Sequence, residues 1–265
     1  MSAEGWIVER DGDVALARFA RPPMSYFTDE DIERLSELCD EWSEEGVRAV
    51  VLAGGVPGKF ITHFNVDMIL EKQTVPEGPI EAPLRSRAMH ALTRKITRAP
   101  MPWIVAMNGD AMGVGSELSL SCDFRIGERG DYRYGLIEVR LGIVPGGSGL
   151  TRLSRRLGIG RAMQLGAGAR AMRPEEAHEL GFVEELEDDA VAAAMAMARR
   201  WAELPRTAVA MAKQIVHQGS NLPLDSALEL ELEYVYRIKQ ASDVAGPLSE
   251  YLEQPFESRR DWLDR

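Results

Sequence analysis

Val105-Ala-Met-Asn-Gly-Asp-Ala-Met-Gly-Val-Gly-Ser-Glu-Leu-Ser-Leu-Ser-Cys-Asp123 is the stretch on which the rest of the chain turns. It begins inside a short apolar run, Trp103–Met107, with the length and flanks of a buried strand. Asn108-Gly109 breaks that run, Gly113 and Gly115 follow, and Val114–Ser121 reads as a helix opening on glycines. Glu117 falls in its first turn among Leu118, Leu120 and Cys122. A second glycine-rich segment, Gly142-Ile-Val-Pro-Gly-Gly-Ser-Gly149, follows Glu138, which is itself flanked by Leu136, Ile137 and Val139.

Strand and helix signals alternate on both sides of these segments. Trp6–Arg10 and Val14–Phe19 alternate apolar and polar residues around Asp11-Gly12-Asp13 and predict a hairpin. Thr28 reads as an N-cap, with Asp29, Glu30 and Asp31 in the turn where the helix dipole favours acids. Ile32, Leu35, Leu38, Cys39 and Trp42 then share one helical face, and Gly46 ends it. Ala49–Ala53 predicts a buried strand, and Leu84–Arg98 a helix stopped by Pro100 and Pro102. Phe124–Ile126 and Tyr132–Tyr134 predict two more short strands. Gly78 to Pro83, beside Pro76, is expected to be a mobile loop. Pro174–Leu180, Asp188–Glu203, Arg206–Gln218, Leu222–Gln240 and Asp243–Glu253 all have helical composition. The chain is therefore expected to divide softly near Leu186–Asp189, into an α/β core over residues 1–187 and a helical region over residues 188–265.

Composition removes several classes. Of 265 residues, 45% are hydrophobic and 28% charged, which a disordered chain would not show. The longest apolar run, Ala190 to Ala198, is far short of the ~20 residues of a membrane span. The acidic N-terminus, with Glu4, Glu9, Asp11 and Asp13, does not resemble a signal peptide. A net charge of −11 opposes binding to nucleic acid or to an anionic membrane. Cys39 and Cys122 read as reduced core residues of a cytoplasmic protein, and four scattered histidines offer no metal-ligand spacing.

Familiar glycine motifs fail. GxGxxG would need glycine at 118 or 152, where leucine and arginine stand. A GxSxG elbow would need glycine at 114 or 150, where valine and leucine stand, and no GxxxxGK[ST] occurs. Two readings of the glycines remain. They permit tight turns and close contact between elements, or they present backbone N–H groups at helix starts, where an oxyanion could be stabilised. Glu117 and Glu138 likewise stay open. Each is a hydrogen-bonded structural acid, or the two form an acid/base pair whose apolar setting raises their pKa.

These residues resemble a family. The 105–123 stretch is similar to the signature of the crotonase (enoyl-CoA hydratase/isomerase) superfamily: a strand, Asn-Gly, a glycine cluster, Glu-Leu and Cys-Asp. Gly135-Leu-Ile-Glu-Val-Arg-Leu-Gly-Ile-Val-Pro-Gly-Gly-Ser-Gly-Leu-Thr-Arg152 resembles its second block. Val50-Val-Leu-Ala-Gly54 followed by Gly58-Lys-Phe-Ile-Thr62 resembles an earlier one. Arg21-Pro22 and Arg173-Pro-Glu-Glu-Ala, continuing to Val183, also fit. The resemblance is close over Trp6 to Val183 and loose in the tail, where Ala245 stands at the position of a glutamate.

The resemblance implies an α/β fold, a crotonase (ClpP-like) spiral of ββα units whose helical C-terminal region mediates trimerisation. It implies an acyl thioester of coenzyme A as substrate, no metal and no further cofactor, and a homotrimer or a dimer of trimers. The N–H groups of Thr62 and Val114 would donate to the thioester carbonyl. Glu117 would deprotonate water, Glu138 would exchange the proton at Cα, and Gly146 would help hold the water. Lys59, Phe60, Thr62, His63, Asn65, Gly113 and Val114 would border the coenzyme A channel.

The departures fall in the same place. The family's Phe-small-small-Gly-small-Asp is Phe60-Ile-Thr-His-Phe-Asn65 here, so His63 replaces glycine and Asn65 replaces aspartate. If the position of His63 required a positive φ, histidine would be strained there. Val114 also replaces a glycine, and its side chain would narrow the acyl pocket. Arg87, Arg94 and Arg98, with Lys95 nearby, form either a solvated helix face or a basic rim for the coenzyme A phosphates, joined by Lys59. Arg152, Arg155, Arg156 and Arg161 read as interface or surface salt bridges. Three functions follow in order. Both glutamates together favour an enoyl-CoA hydratase, whereas an isomerase or another enolate-handling acyl-CoA enzyme would need Glu138 alone. A non-catalytic acyl-CoA-binding protein would need neither.

Overall fold

The computed structural model describes residues 5–74 and 84–264. The loop expected over Gly78 to Pro83 lies outside them. The N-terminal hairpin forms as the alternation predicts: β1 (Trp6–Asp11) pairs antiparallel with β2 (Val14–Phe19). After β3 (Tyr26–Phe27), Thr28 caps α1 (Asp29–Glu44). Asp31 Oδ2 accepts from the Thr28 N–H at 2.9 Å and from its hydroxyl at 2.8 Å, closing the first turn.

The chain then repeats one motif: a strand in a large sheet, a short strand in a small one, then helix. β4 (Ala49–Gly54) leads through β5 (Gly58–Lys59) and β6 (His63–Phe64) to α2 (Val66–Thr74) and α3 (Leu84–Arg98). β7 (Trp103–Met107) leads through β8 (Gly109–Met112) to α4 (Val114–Ser119). β9 (Phe124–Glu128) leads through β10 (Tyr134–Gly135) to a 3₁₀ turn at Glu138–Leu141 and then α5 (Gly149–Leu157). α6 (Ile159–Ala162), α7 (Pro174–Glu179) and β11 (Glu185–Glu187) complete the spiral. The large sheet runs β1-β2-β4-β7-β9-β11, parallel except for the first pair. The small sheet runs β10-β8-β5, and β3 pairs with β6.

Both faces of the large sheet are buried, and period-2 geometry divides its residues between two cores. Ala15, Ala17, Val50, Leu52, Trp103 and Val105 face one core, shared with α1 and α3. Leu16, Ala49, Val51, Ile104, Ala106 and Ile126 face the other, closed by Ala190, Ala194, Met197 and Ala198. Those last residues belong to α8 (Ala190–Glu203), whose N-cap Asp189 accepts from the Ala192 N–H. The core therefore extends through α8, past the boundary expected at residue 187, because the sheet's second face needs that helix as its cover.

The tail follows as α9 (Arg206–Gly219), α10 (Leu224–Ile238), α11 (Ala245–Glu253) and α12 (Arg259–Leu263). Lys213 ties α9 to the core. Its buried ammonium donates to the carbonyls of Ile96 and Met101 and pairs with Asp123 at 2.9 Å.

Candidate active site

α4, the 3₁₀ turn after β10 and the segment before α5 meet around a cavity of about 310 Å³. Glu117, Glu138, Gly113, Val114, Gly146 and Gly147 line it, with His63 and Phe64 from β6 on one side and Ser86 and Met89 from α3 on another. Ile137, Leu141, Ile143 and Val144 supply an apolar wall.

Glu117 is only 4% exposed. Its Oε1 accepts from two backbone N–H groups, Gly147 at 2.8 Å and Gly149 at 2.9 Å, which places the carboxyl at the start of α5. Burial pushes its pKa up, and the two N–H bonds only partly oppose that. With Oε1 held by two donors, a proton on this group belongs on Oε2. The Gly147 backbone passes so close that a Cβ there would lie 2.7 Å from Oε2.

Glu138 opens the 3₁₀ turn and faces the same cavity. Its Oε2 is buried without a hydrogen-bond partner. Burial, reinforced by the charge of Glu117, raises its pKa to about 7. Two carboxyls in one apolar cavity resist ionising together, so they titrate as a coupled pair.

Val114 is the first residue of α4 and lines the cavity, and its N–H is among those a helix leaves without an intrahelical acceptor. Gly113 caps that helix at φ 53°, where a Cβ would be strained and would sit 3.1 Å from Glu138 Oε1.

Of the residues singled out in the sequence, the cavity gathers Glu117, Glu138, Val114, Gly113, Gly146 and His63. Thr62 is a correction. It is 2% exposed and off the cavity lining, and its N–H donates to the Ser25 carbonyl at 3.2 Å, so it is not free for a thioester. Phe60 is fully buried in the core and does not border the cavity. Asn65 does not border it either; its Oδ1 accepts from the Asp67 N–H at 3.0 Å, a side-chain cap at the start of α2. Lys59 pairs with Asp110 at 2.5 Å and is not among the residues that line the cavity. Lys95 pairs with Asp40 and bonds Ser36, so that part of the α3 face is tied to α1.

His63 has no positive φ and incurs no strain of that kind. Its ring stacks on Tyr26 at 4.4 Å and Nδ1 bonds the Phe64 carbonyl. The arginines after Gly149 also resolve. Arg156 pairs with Glu184, Arg161 donates to the Leu180 carbonyl, and Arg152 bonds Ser148, Thr93 and Thr97. The sequence reading missed the part played by Gly147 and Gly149. Its signal was present, since alternate glycines before a helix let neighbouring N–H groups converge on one oxygen.

A model of the enoyl-CoA hydratase/isomerase family matches residues 9–261. The chain belongs to the enoyl-CoA hydratase/isomerase family. Its relatives include the short-chain-enoyl-CoA hydratase of Clostridium acetobutylicum, 28% identical over 96% of this chain and 97% of that one. The human mitochondrial methylglutaconyl-CoA hydratase is 32% identical over 76% of this chain and 59% of its own. The crystal structure of an enoyl-CoA hydratase from Bacillus anthracis superposes with a TM-score of 0.85 at 26% identity, covering 94% of this chain and 96% of that one. The crotonase fold expected from the sequence is the fold found, and as a member of this family the chain is an enzyme of the hydratase/isomerase type. Among the described residues no group of side chains could hold a metal ion, and no helix is long and apolar enough to cross a membrane.

Proposed function

We propose that the protein adds water across the double bond of a 2-trans-enoyl-CoA. The observation that carries this reading is the pairing of Glu117 and Glu138 in one apolar cavity, with the Val114 N–H at its edge. An isomerase needs one shuttling base, whereas hydration needs a group to take a proton from water and another to give one to Cα. In its ionised form Glu117 is held at one oxygen by Gly147 and Gly149 and takes the water's proton on the other. Glu138 delivers its proton to Cα from the unpartnered Oε2. The Val114 N–H donates to the thioester oxygen as charge develops there, a contribution of about 10²–10³ in rate for one such donor. With Thr62 engaged elsewhere, the second donor comes from the His63–Phe64 segment, which lines the cavity.

Gly146 would border the water, and His63 and Gly113 the channel for the coenzyme A arm. The free, buried Cys39 and Cys122 fit a reducing cytoplasm. In the tail, α10 carries exposed Leu224, Leu228, Leu232 and Val235, a face that a trimer would cover.

Loss of the enoyl absorbance of crotonyl-CoA, and of an enoyl-CoA of eight to ten carbons, tests the reading and brackets chain length. Wild type is expected to turn over at least one, and Glu117→Gln and Glu138→Gln each to lose about 10²-fold or more. A Glu117→Gln variant with wild-type rate would point to the single-base isomerase instead. Binding of acyl-CoA without turnover would point to the non-catalytic alternative.

A further inference from the structure

We infer that Ser116 is a positioning residue whose hydroxyl ties the helix bearing Glu117 to the strand leading into Glu138, and so fixes the spacing of the two carboxyls. The inference rests on the hydratase reading for its rate predictions and on geometry alone for the rest.

Ser116 is 0% exposed and does not line the cavity, so it touches no substrate. Its Oγ donates to the Ala111 carbonyl on β8 at 2.6 Å and accepts from the Gly135 N–H on β10 at 2.9 Å. Three elements therefore meet at one hydroxyl. The Gly135 carbonyl in turn accepts from the Gly113 N–H at 2.8 Å, immediately before α4. Both polar backbone groups of Gly135 are thus held by the Gly113–Ser116 turn. Glu117 is the next residue after Ser116. Glu138 lies just beyond Gly135, separated by the buried Leu136 and the cavity-lining Ile137. Without the hydroxyl, the Ala111 carbonyl and the Gly135 N–H keep only the β8–β10 pairing, and the buried tie that locks that strand pair to α4 is lost. The segment able to move is the one that carries Glu138.

Glu117 from α4, Glu138 and His63 from β6 all line the same cavity. Arg140, on the turn of Glu138 itself, is directed to the Ala169 carbonyl. A wider gap between the two carboxyls weakens the charge effect of Glu117 on Glu138, and Glu138 then ionises at lower pH.

Ser116→Ala tests this by steady-state hydration of crotonyl-CoA across pH. The expected result is a kcat lowered about ten- to hundred-fold, the range for a misplaced catalytic group, with KM little changed and the alkaline limb moved to lower pH. Ser116→Cys, nearly isosteric with a weak acceptor sulfur, should fall between alanine and wild type. It carries the test alone if the alanine variant does not fold. A folded variant with wild-type kcat and an unmoved limb overturns the inference. Should wild type prove inert toward enoyl-CoA, the hydratase reading fails on its own. The titration of Glu138, followed by carbon NMR on carboxyl-labelled protein, still decides about Ser116: a lower midpoint in Ser116→Ala supports it and an unchanged one refutes it.

Discussion

The chemistry of single residues here is governed by where a proton sits. Hydration of an enoyl group consumes no net proton, so forward and reverse reactions require the same total protonation of the pair. On the proposed hydratase mechanism the active form carries one proton on Glu117 and Glu138 together. Activity should therefore follow a bell in pH, with its alkaline limb near the value of about 7 to which Glu138 is raised. The limb should fall at the same place for hydration and dehydration when kcat/KM is measured in both directions. A second consequence concerns stability. Glu138 binds its proton more tightly in the fold than in the unfolded chain. The associated stabilisation is present at acid pH and is lost as pH rises from the ordinary carboxylate range to about 7. Glu138→Gln should thus be more stable than wild type at pH 8, by on the order of 1–3 kcal/mol, and no more stable near pH 4. Urea midpoints at the two pH values check it, and a variant less stable than wild type at pH 8 contradicts it. Both glutamates were legible in the sequence because charged residues interrupt apolar runs there. Their partners were not, because Gly147, Gly149 and Ser116 act through backbone and buried hydroxyl groups that no spacing rule marks.

At the scale of elements, local signals did most of the work. The hairpin around Gly12, the acidic first turn of α1 and the proline stop after α3 are each written in short-range chemistry, and each formed where expected. α4 is shorter than its apolar pattern suggests, ending at Ser119, since Ser121 and Cys122 turn back to the Leu118 carbonyl. What local signals could not give is how the glycine segments approach one another. The turn before α5 reaches Glu117 only because Gly147 has no side chain, which gives a sharp prediction. Gly147→Ala should lower hydration by about 10²-fold, by displacing the carboxylate within the site, while circular dichroism shows the fold retained. Wild-type activity in that variant would mean that Glu117 does not depend on this turn.

Across the whole molecule, a repeated strand–strand–helix motif winds the chain so that two glutamates from successive repeats share one cavity. The motif was visible as alternation of strand and helix signals. Its closure by α8 was not, because a helix of alanine and methionine gives no indication of which surface it will cover. The exposed leucines of α10 belong to this scale as well. Sedimentation is expected to find a trimer, and Leu228→Glu with Leu232→Glu to shift it toward monomer; a wild-type monomer would refute the proposed assembly. The central claim, that water is added and not merely a proton moved, is tested most directly by isotopes. Crotonyl-CoA incubated with wild-type enzyme in deuterated, oxygen-18-enriched water should yield a 3-hydroxyacyl product labelled with one deuterium at C2 and one oxygen-18 at C3. Deuterium entering at C2 or C4 with no gain of oxygen would contradict the account and leave an isomerase.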